Sequence, residues 1–153
     1  MIVVGPLKPE DRPAWEELAR GYKAFYRTPT ADGQYETVWQ QLRDEGSGFC
    51  GLGAYLGDAP GGDPAGALVG IAHYLFHPQM RYGDACYLQD LFVAGAARGR
   101  GAARALIEQV AEMARSRGAT RLYWTTQEDN ARARLLYDKV ARFNGFIRYD
   151  YPL

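Results

Sequence analysis

The spacing of apolar residues along the chain changes several times, and each change marks an element. A short apolar run over residues 2–4 predicts a first strand. Pro9 then stands where a helix opens, and Trp15, Leu18, Tyr22 and Phe25 recur at a helical period, which predicts a helix through about Tyr26. Residues 28–33 hold turn formers, after which Tyr35, Val38, Trp39 and Leu42 predict a second helix closing near Gly46. Residues 49–56 alternate small with large side chains and residues 67–76 are rich in apolar and aromatic ones. Between them GDAPGGDPAG is dense in turn residues, so the pair reads as a hairpin with a long loop. Residues 86–93 predict a strand, 99–117 a helix, 121–126 a strand, 130–142 a helix and 146–151 a last strand. The order βααβββαβαβ is that of an α/β protein. With no internal repeat, low-complexity linker or composition break, residues 1–153 are expected to form a single domain.

Composition agrees. A chain of 153 residues with 47% hydrophobic and 24% charged residues can bury one sizeable core, which excludes disorder over the whole length. No stretch approaches the ~18 to 20 apolar residues of a membrane span. The first twenty residues carry Glu10, Asp11, Glu16 and Glu17 where a leader would be basic and then apolar, so a soluble cytoplasmic protein is expected. Cys50 and Cys86 lie in apolar segments without a CxxC partner and are expected as buried thiols. Net charge is zero, yet up to Asp90 the chain has 7 basic and 12 acidic residues and after it 11 and 6. A basic half suits an anionic ligand and an acidic half a cationic one.

The chemistry concentrates in CYLQDLFVAGAARGRGAARALIEQVAEMARSRG. Ala103, Leu106, Ile107, Val110 and Ala114 make one apolar helix face, with Arg104, Glu108, Glu112 and Arg115 outside it. A first helical turn ordinarily favours Asp or Glu, because its free amide N–H groups are the positive end of the helix dipole. Here the helix begins among Arg98, Arg100 and Arg104 with no acid before Glu108. An anion would supply the missing negative charge, and Gly99 and Gly101 leave the backbone accessible to it, so a phosphate site is inferred. It is neither a P-loop, since no GK[ST] follows, nor a dinucleotide fingerprint, since Arg104 stands where the third small residue belongs.

The run RGRGAA, Arg98, Gly99, Arg100, Gly101, Ala102 and Ala103, directly after YLQDLFV, resembles the Arg/Gln-x-x-Gly-x-Gly/Ala signature of the GNAT superfamily of acyl-CoA-dependent N-acetyltransferases. Downstream, NARARLLYDKVA resembles the second motif of that superfamily, with Asn130 and Tyr137 at its spacing. Within the superfamily the segment is most similar to the diamine (spermidine/spermine) acetyltransferase type and its bacterial relatives. The resemblance implies a GNAT fold: a mixed central sheet flanked by helices, with the fourth and fifth strands splayed apart. It implies acetyl-CoA as donor, its pantetheine arm pairing like an added strand with the backbone of Leu91, Phe92 and Val93. The pyrophosphate would rest on amides of Gly99 to Ala103 among Arg98, Arg100 and Arg104, and a backbone N–H near Leu91 would polarise the thioester carbonyl. Asn130, Ala133 and Tyr137 share a helix face along which the donor could lie. Tyr137 is the catalytic candidate, since a phenol of pKa about 10 can return a proton to the departing thiolate.

The general base is less legible. Diamine acetyltransferases carry a glutamate where this chain has Gln89, and an amide cannot take a proton. Asp90 is adjacent, but alternation along a strand is expected to turn it to the opposite face. Water relayed by Glu128 or Tyr26 is the remaining expectation. Tyr22 and Tyr26, with Trp15 and Phe25, could wall an amine site, although half-buried core packing is the better explanation of them. His73 and His77 share a strand face but lack a third ligand, so no metal is expected. No basic surface points to nucleic acid. The expected activity is acetyl transfer to a primary amine of a small cationic or amino-acid-like molecule, with no membrane partner and with homodimer formation compatible. Alternatives are acetylation of a protein amino terminus, a lysine or an aminoglycoside, or a non-catalytic acetyl-CoA sensor.

Overall fold

A computed structural model describes residues 1–26, 30–57 and 66–153. Strand β1 (Ile2–Pro6) leads through a 3-10 turn at Pro9–Asp11 into α1 (Arg12–Phe25), followed by α2 (Asp32–Arg43). Then come β2 (Phe49–Leu56), β3 (Ala67–His77) and β4 (Ala85–Val93), a 3-10 turn at Gly95–Ala97, α3 (Ala102–Ser116), β5 (Arg121–Tyr123) and α4 (Ala131–Val140). Most of the expected β2–β3 loop, and residues 28 and 29 of the expected turn after α1, lie outside the described residues.

The five strands form one sheet in chain order, antiparallel throughout except for the parallel pair β4 and β5. The α1 and α2 helices cover one face, where Trp15, Leu18, Tyr35 and Trp39 pack with Leu7 and Ile71. The other face is covered by α3, whose Leu106, Ile107, Val110 and Ala114 pack on Leu52, Ala72, Tyr74, Cys86 and Leu88. This is the apolar stripe expected from the helical period, and Leu106 and Val110 are completely buried. Both cysteines are free thiols, and burial pushes the Cys86 thiol up to about 11. No helix among the described residues is long and apolar enough to cross a membrane.

Three expectations are corrected. The helix after the glycines starts at Ala102 rather than at Gly99, because Gly99 (φ 77°) and Gly101 (φ 82°) adopt left-handed backbone that cannot continue a right-handed helix. The fifth strand ends at Tyr123, short of residue 126. Residues 146–151, expected as a last strand, form none: the segment beyond α4 has no ladder partner and leaves Phe143, Phe146, Ile147, Tyr149, Tyr151 and Leu153 exposed. Apolar and polar residues do alternate there, but a strand also needs a neighbouring edge, and this segment pairs with none among the described residues.

Candidate active site

The β4 strand does two things at once. Over Ala85–Tyr87 it pairs with β5, residue for residue with Arg121–Tyr123, and beyond Tyr87 that pairing stops. On its other edge β4 stays paired with β3 to its end, through Leu91↔Ala72, Phe92↔Ile71 and Val93↔Gly70. Leu91 and Val93 put their side chains into the α3 face of the core and Phe92 into the α1 face. These residues therefore offer the gap their main chain, as an unpaired strand edge able to accept an extended ligand.

The gap leads to the start of α3. That end has no side-chain cap and no acid in its first turn, so its amide N–H groups face outward as donors at the positive end of the helix dipole. A Cβ at Gly99 or Gly101 would meet nothing within 4 Å, so the space before these amides is open. Arg98 and Arg100 flank it in exposed positions, while Arg104 ion-pairs one helical turn on with Glu108 at 2.9 Å. Ala102 is buried and Ala103 half-buried, so what they present is backbone. This donor set suits a pyrophosphate: backbone N–H groups, two guanidinium groups without an ion-pair partner among the described residues, and no carboxylate in the turn.

At the other end of the gap a small crevice is lined by Tyr22, Tyr26, Leu88, Gln89, Leu91, Trp124, Thr125 and Tyr137. The α1 helix reaches it because Gly21 lies against Phe92, where a Cβ would come within 2.9 Å of the ring. Tyr22 meets the same ring edge-on at 6.4 Å and stacks on Tyr26 at 4.8 Å. Tyr137 comes from α4 and packs edge-on against Trp124 at 5.4 Å. Burial, with Tyr26 nearby, pushes its phenol up to about 12, so the hydroxyl keeps its proton at neutral pH. A protonated hydroxyl in a crevice can serve as an acid.

Two expected site residues are placed elsewhere. Glu128 is exposed and does not line the crevice, and only its backbone carbonyl is engaged, by Arg134 at 2.7 Å. Asn130 caps α4, its Oδ1 accepting from the Ala133 amide at 3.4 Å and its Nδ2 donating to Thr126 at 3.2 Å. Its side chain is thus already used, and Ala133, half-buried beside it, is the small residue on the shared face. Among the aromatic residues considered for an amine wall, Trp15 is core at 1% exposure and Phe25 is exposed, which leaves Tyr22 and Tyr26. The two histidines are separately engaged, His77 with Tyr123 at 2.6 Å and His73 in the interior.

The main correction concerns Asp90. The β3–β4 register shifts between His73 and Tyr74, so His73 faces Asp90 while Tyr74 faces Leu88, and Gln89 is the extra residue. A bulge breaks the alternation on which the orientation of Asp90 was judged. Asp90 accordingly lies on the α1 face, where it accepts from His73 Nδ1 at 2.9 Å, and burial together with its charge pushes up the phenol of Tyr22, a crevice residue. Bulges leave no mark on composition, and the only sequence signal was the polar pair Gln89-Asp90 inside an apolar strand.

Residues 15–143 match the acetyltransferase (GNAT) family. The chain belongs to that family. The D-amino-acid N-acetyltransferase HPA3 of Saccharomyces cerevisiae is 36% identical over 141 residues, covering 92% of this chain and 84% of that protein. The thialysine N-epsilon-acetyltransferase of Bos taurus is 32% identical over 123 residues, covering 80% and 67%. Among solved structures, AAC(6')-Iy in complex with a bisubstrate analogue, CoA-S-monomethyl-acetylneamine, superposes with a TM-score of 0.80 at 14% identity, covering 100% of this chain and 99% of that one, a likeness of fold. This GNAT protein is an acyl-CoA-dependent N-acetyltransferase, and its donor is acetyl-CoA. The outward amides and open glycine positions at the start of α3 fit that donor's pyrophosphate.

Proposed function

We propose that this acetyltransferase acetylates the primary amine of a small cationic or amino-acid-like acceptor by direct attack, with Tyr137 as general acid. The observation that carries this reading is the position of Tyr137. It lines the same crevice as Tyr22, Tyr26 and Gln89, at the end of the unpaired edge of β4. When bound, acetyl-CoA supplies an activated acetyl thioester. Leu91, Phe92 and Val93 hold the pantetheine arm through their main chain. The amides of Gly99, Gly101, Ala102 and Ala103, with Arg98 and Arg100, hold the pyrophosphate, and Arg104 stands ready to leave Glu108 for it. An amide N–H near Leu91 polarises the thioester carbonyl, an effect worth about 10² to 10³ in rate where such donors have been removed. Tyr137 Oη gives its proton to the leaving sulfur, and the proton that the nitrogen loses as the amide forms restores the phenol.

The narrow aromatic crevice favours a small amine over a folded protein chain, and the relatives named for D-amino acids and thialysine support the same class. A screen that follows coenzyme A release with polyamines, D- and L-amino acids, thialysine and aminoglycosides tests the reading. Turnover restricted to small amines is expected, and release independent of any amine overturns it.

The protein is further proposed to act as a homodimer. Phe143, Phe146, Ile147, Tyr149, Tyr151 and Leu153 form an exposed apolar segment, Phe146 at 81%, and apolar surface this continuous is usually covered. A second copy is the natural occupant, because among the described residues the outer edge of β5 has no strand beside it, and each chain has one such segment to offer. Light scattering of the full chain should give twice the monomer mass, and removal of residues 143–153 should give a monomer.

A further inference from the structure

Trp15 sits at the bottom of a chain of side chains that ends in the crevice. Its indole Nε1–H donates to His73 Nε2 at 2.9 Å. An indole nitrogen can only donate, so His73 Nε2 is an acceptor and the ring hydrogen is on Nδ1. That hydrogen is given to Asp90 Oδ2 at 2.9 Å. Trp15 and His73 are 1% and 4% exposed, so no water competes for the bond between them. Burial and the neighbouring Asp90 carboxylate push the Tyr22 phenol up, and Tyr22 borders the crevice shared with Gln89 and Tyr137. The charge of Asp90 is therefore held directly behind the Tyr22 hydroxyl, oriented by a histidine whose own tautomer is fixed from below.

We propose that Tyr22, backed by Asp90, is the group that takes the proton from the acceptor ammonium, a role resting on the amine acetyltransferase reading above. The hydroxyl donates its hydrogen to Asp90, which leaves oxygen lone pairs for an ammonium N–H in the crevice. As the amine N–H bond breaks, its proton goes to Tyr22 Oη while the Tyr22 hydrogen goes to the Asp90 carboxylate. The ammonium becomes a neutral amine, the carboxylate a neutral acid, and Tyr22 ends as it began. Asp90 later returns the proton to solvent. His73 takes no part in the transfer, because a proton on Nε2 would face the Trp15 N–H, donor against donor; it is a positioning residue, as is Trp15. The other titratable groups facing the pair are Tyr26 on α1 and Tyr87 on β4, with Tyr137 of α4 facing Tyr26. Gln89, which cannot accept this proton, remains free to hydrogen-bond the amine.

The test is the pH dependence of kcat/KM for the amine at saturating acetyl-CoA, from about pH 6.5 to 10, in wild type, Tyr22→Phe and Asp90→Asn. Spermidine, thialysine and D-alanine are the acceptors, and whichever wild type acetylates is used. Tyr22→Phe keeps the ring and its packing. It is expected to lose about 10²-fold at pH 7, within the usual range for a proton-transfer group. The loss should shrink with each pH unit toward the amine's own pKa, about 10.4 for an alkyl amine. KM for acetyl-CoA should change less than twofold, and Asp90→Asn should show the same slope. A wild-type to Tyr22→Phe ratio that is constant across this range overturns the proposal, as does an Asp90→Asn variant with the wild-type profile. If Asp90→Asn fails to fold, the Tyr22→Phe slope alone decides. Wild-type inactivity toward all three amines, with no coenzyme A released, overturns the acetylation reading and the relay with it, which separates that failure from a failure of the relay alone.

Discussion

Between Leu91 and Arg104, where the donor is proposed to lie, the protein presents main chain: an unpaired strand edge, then the free amides at the start of α3, with side chains turned into the core or out to solvent. Between α1 and β4, where the acceptor is proposed to bind, it presents side chains: two tyrosines from α1, Gln89 from a bulge and Tyr137 from α4. The donor is acetyl-CoA, and main chain can hold it through many changes of sequence. The acceptor side depends on which side chains three separate elements bring together, so single substitutions can retune it.

Four measurements break or sharpen that contrast. Tyr137→Phe deletes only a hydroxyl on the side-chain half. Turnover should fall by about 10²-fold or more while calorimetric affinity for acetyl-CoA is nearly intact. Turnover within about threefold of wild type would remove Tyr137 as the acid. Gly101→Val strikes the main-chain half: a branched residue is strained at φ 82°, and its side chain stands in the open space before the amides. Acetyl-CoA affinity should fall by about tenfold or more in a variant that still melts cooperatively, and unchanged affinity would break the donor assignment.

Gln89→Glu should act more gently, raising neutral-pH turnover by about two- to fivefold or moving the profile toward lower pH. The smallest effect is expected from alkali. The Tyr137 phenol is raised from its ordinary 10.0 to about 12, so its acid form persists below that value and is lost only as pH rises through it. Turnover should therefore show no alkaline decline up to about pH 10. A fall centred near pH 9 would mean that another group sets that limb.

The same contrast explains what the sequence made readable. The bounds of β2 were readable as they stand, because Phe49–Leu56 lies between turn formers and its side chains alternate in size. The start of α3 stood out as a candidate anion site because its signals are local: two glycines, three arginines and no acid within seven residues. The role of Asp90 was not, because it depends on one extra residue in the register with β3, which only the pairing of two strands reveals. His73 meets Trp15 across 58 positions of sequence, and no periodicity connects them. The segment 146–151 has a strand's pattern without a strand's neighbour, since pattern describes a face and pairing requires a second edge.

The bond from Trp15 to His73 also gives the protein an internal clock. The hydrogen on His73 Nδ1 is held by the half-buried Asp90 on a ring that Trp15 anchors in the interior, so its exchange with water should be slow and should quicken when α1 lifts from the sheet. In ¹⁵N-labelled protein that imidazole N–H should appear as a discrete, slowly exchanging resonance. Its exchange rate would report how often the acceptor wall opens, and a ligand that braces α1 should slow it without touching the histidine.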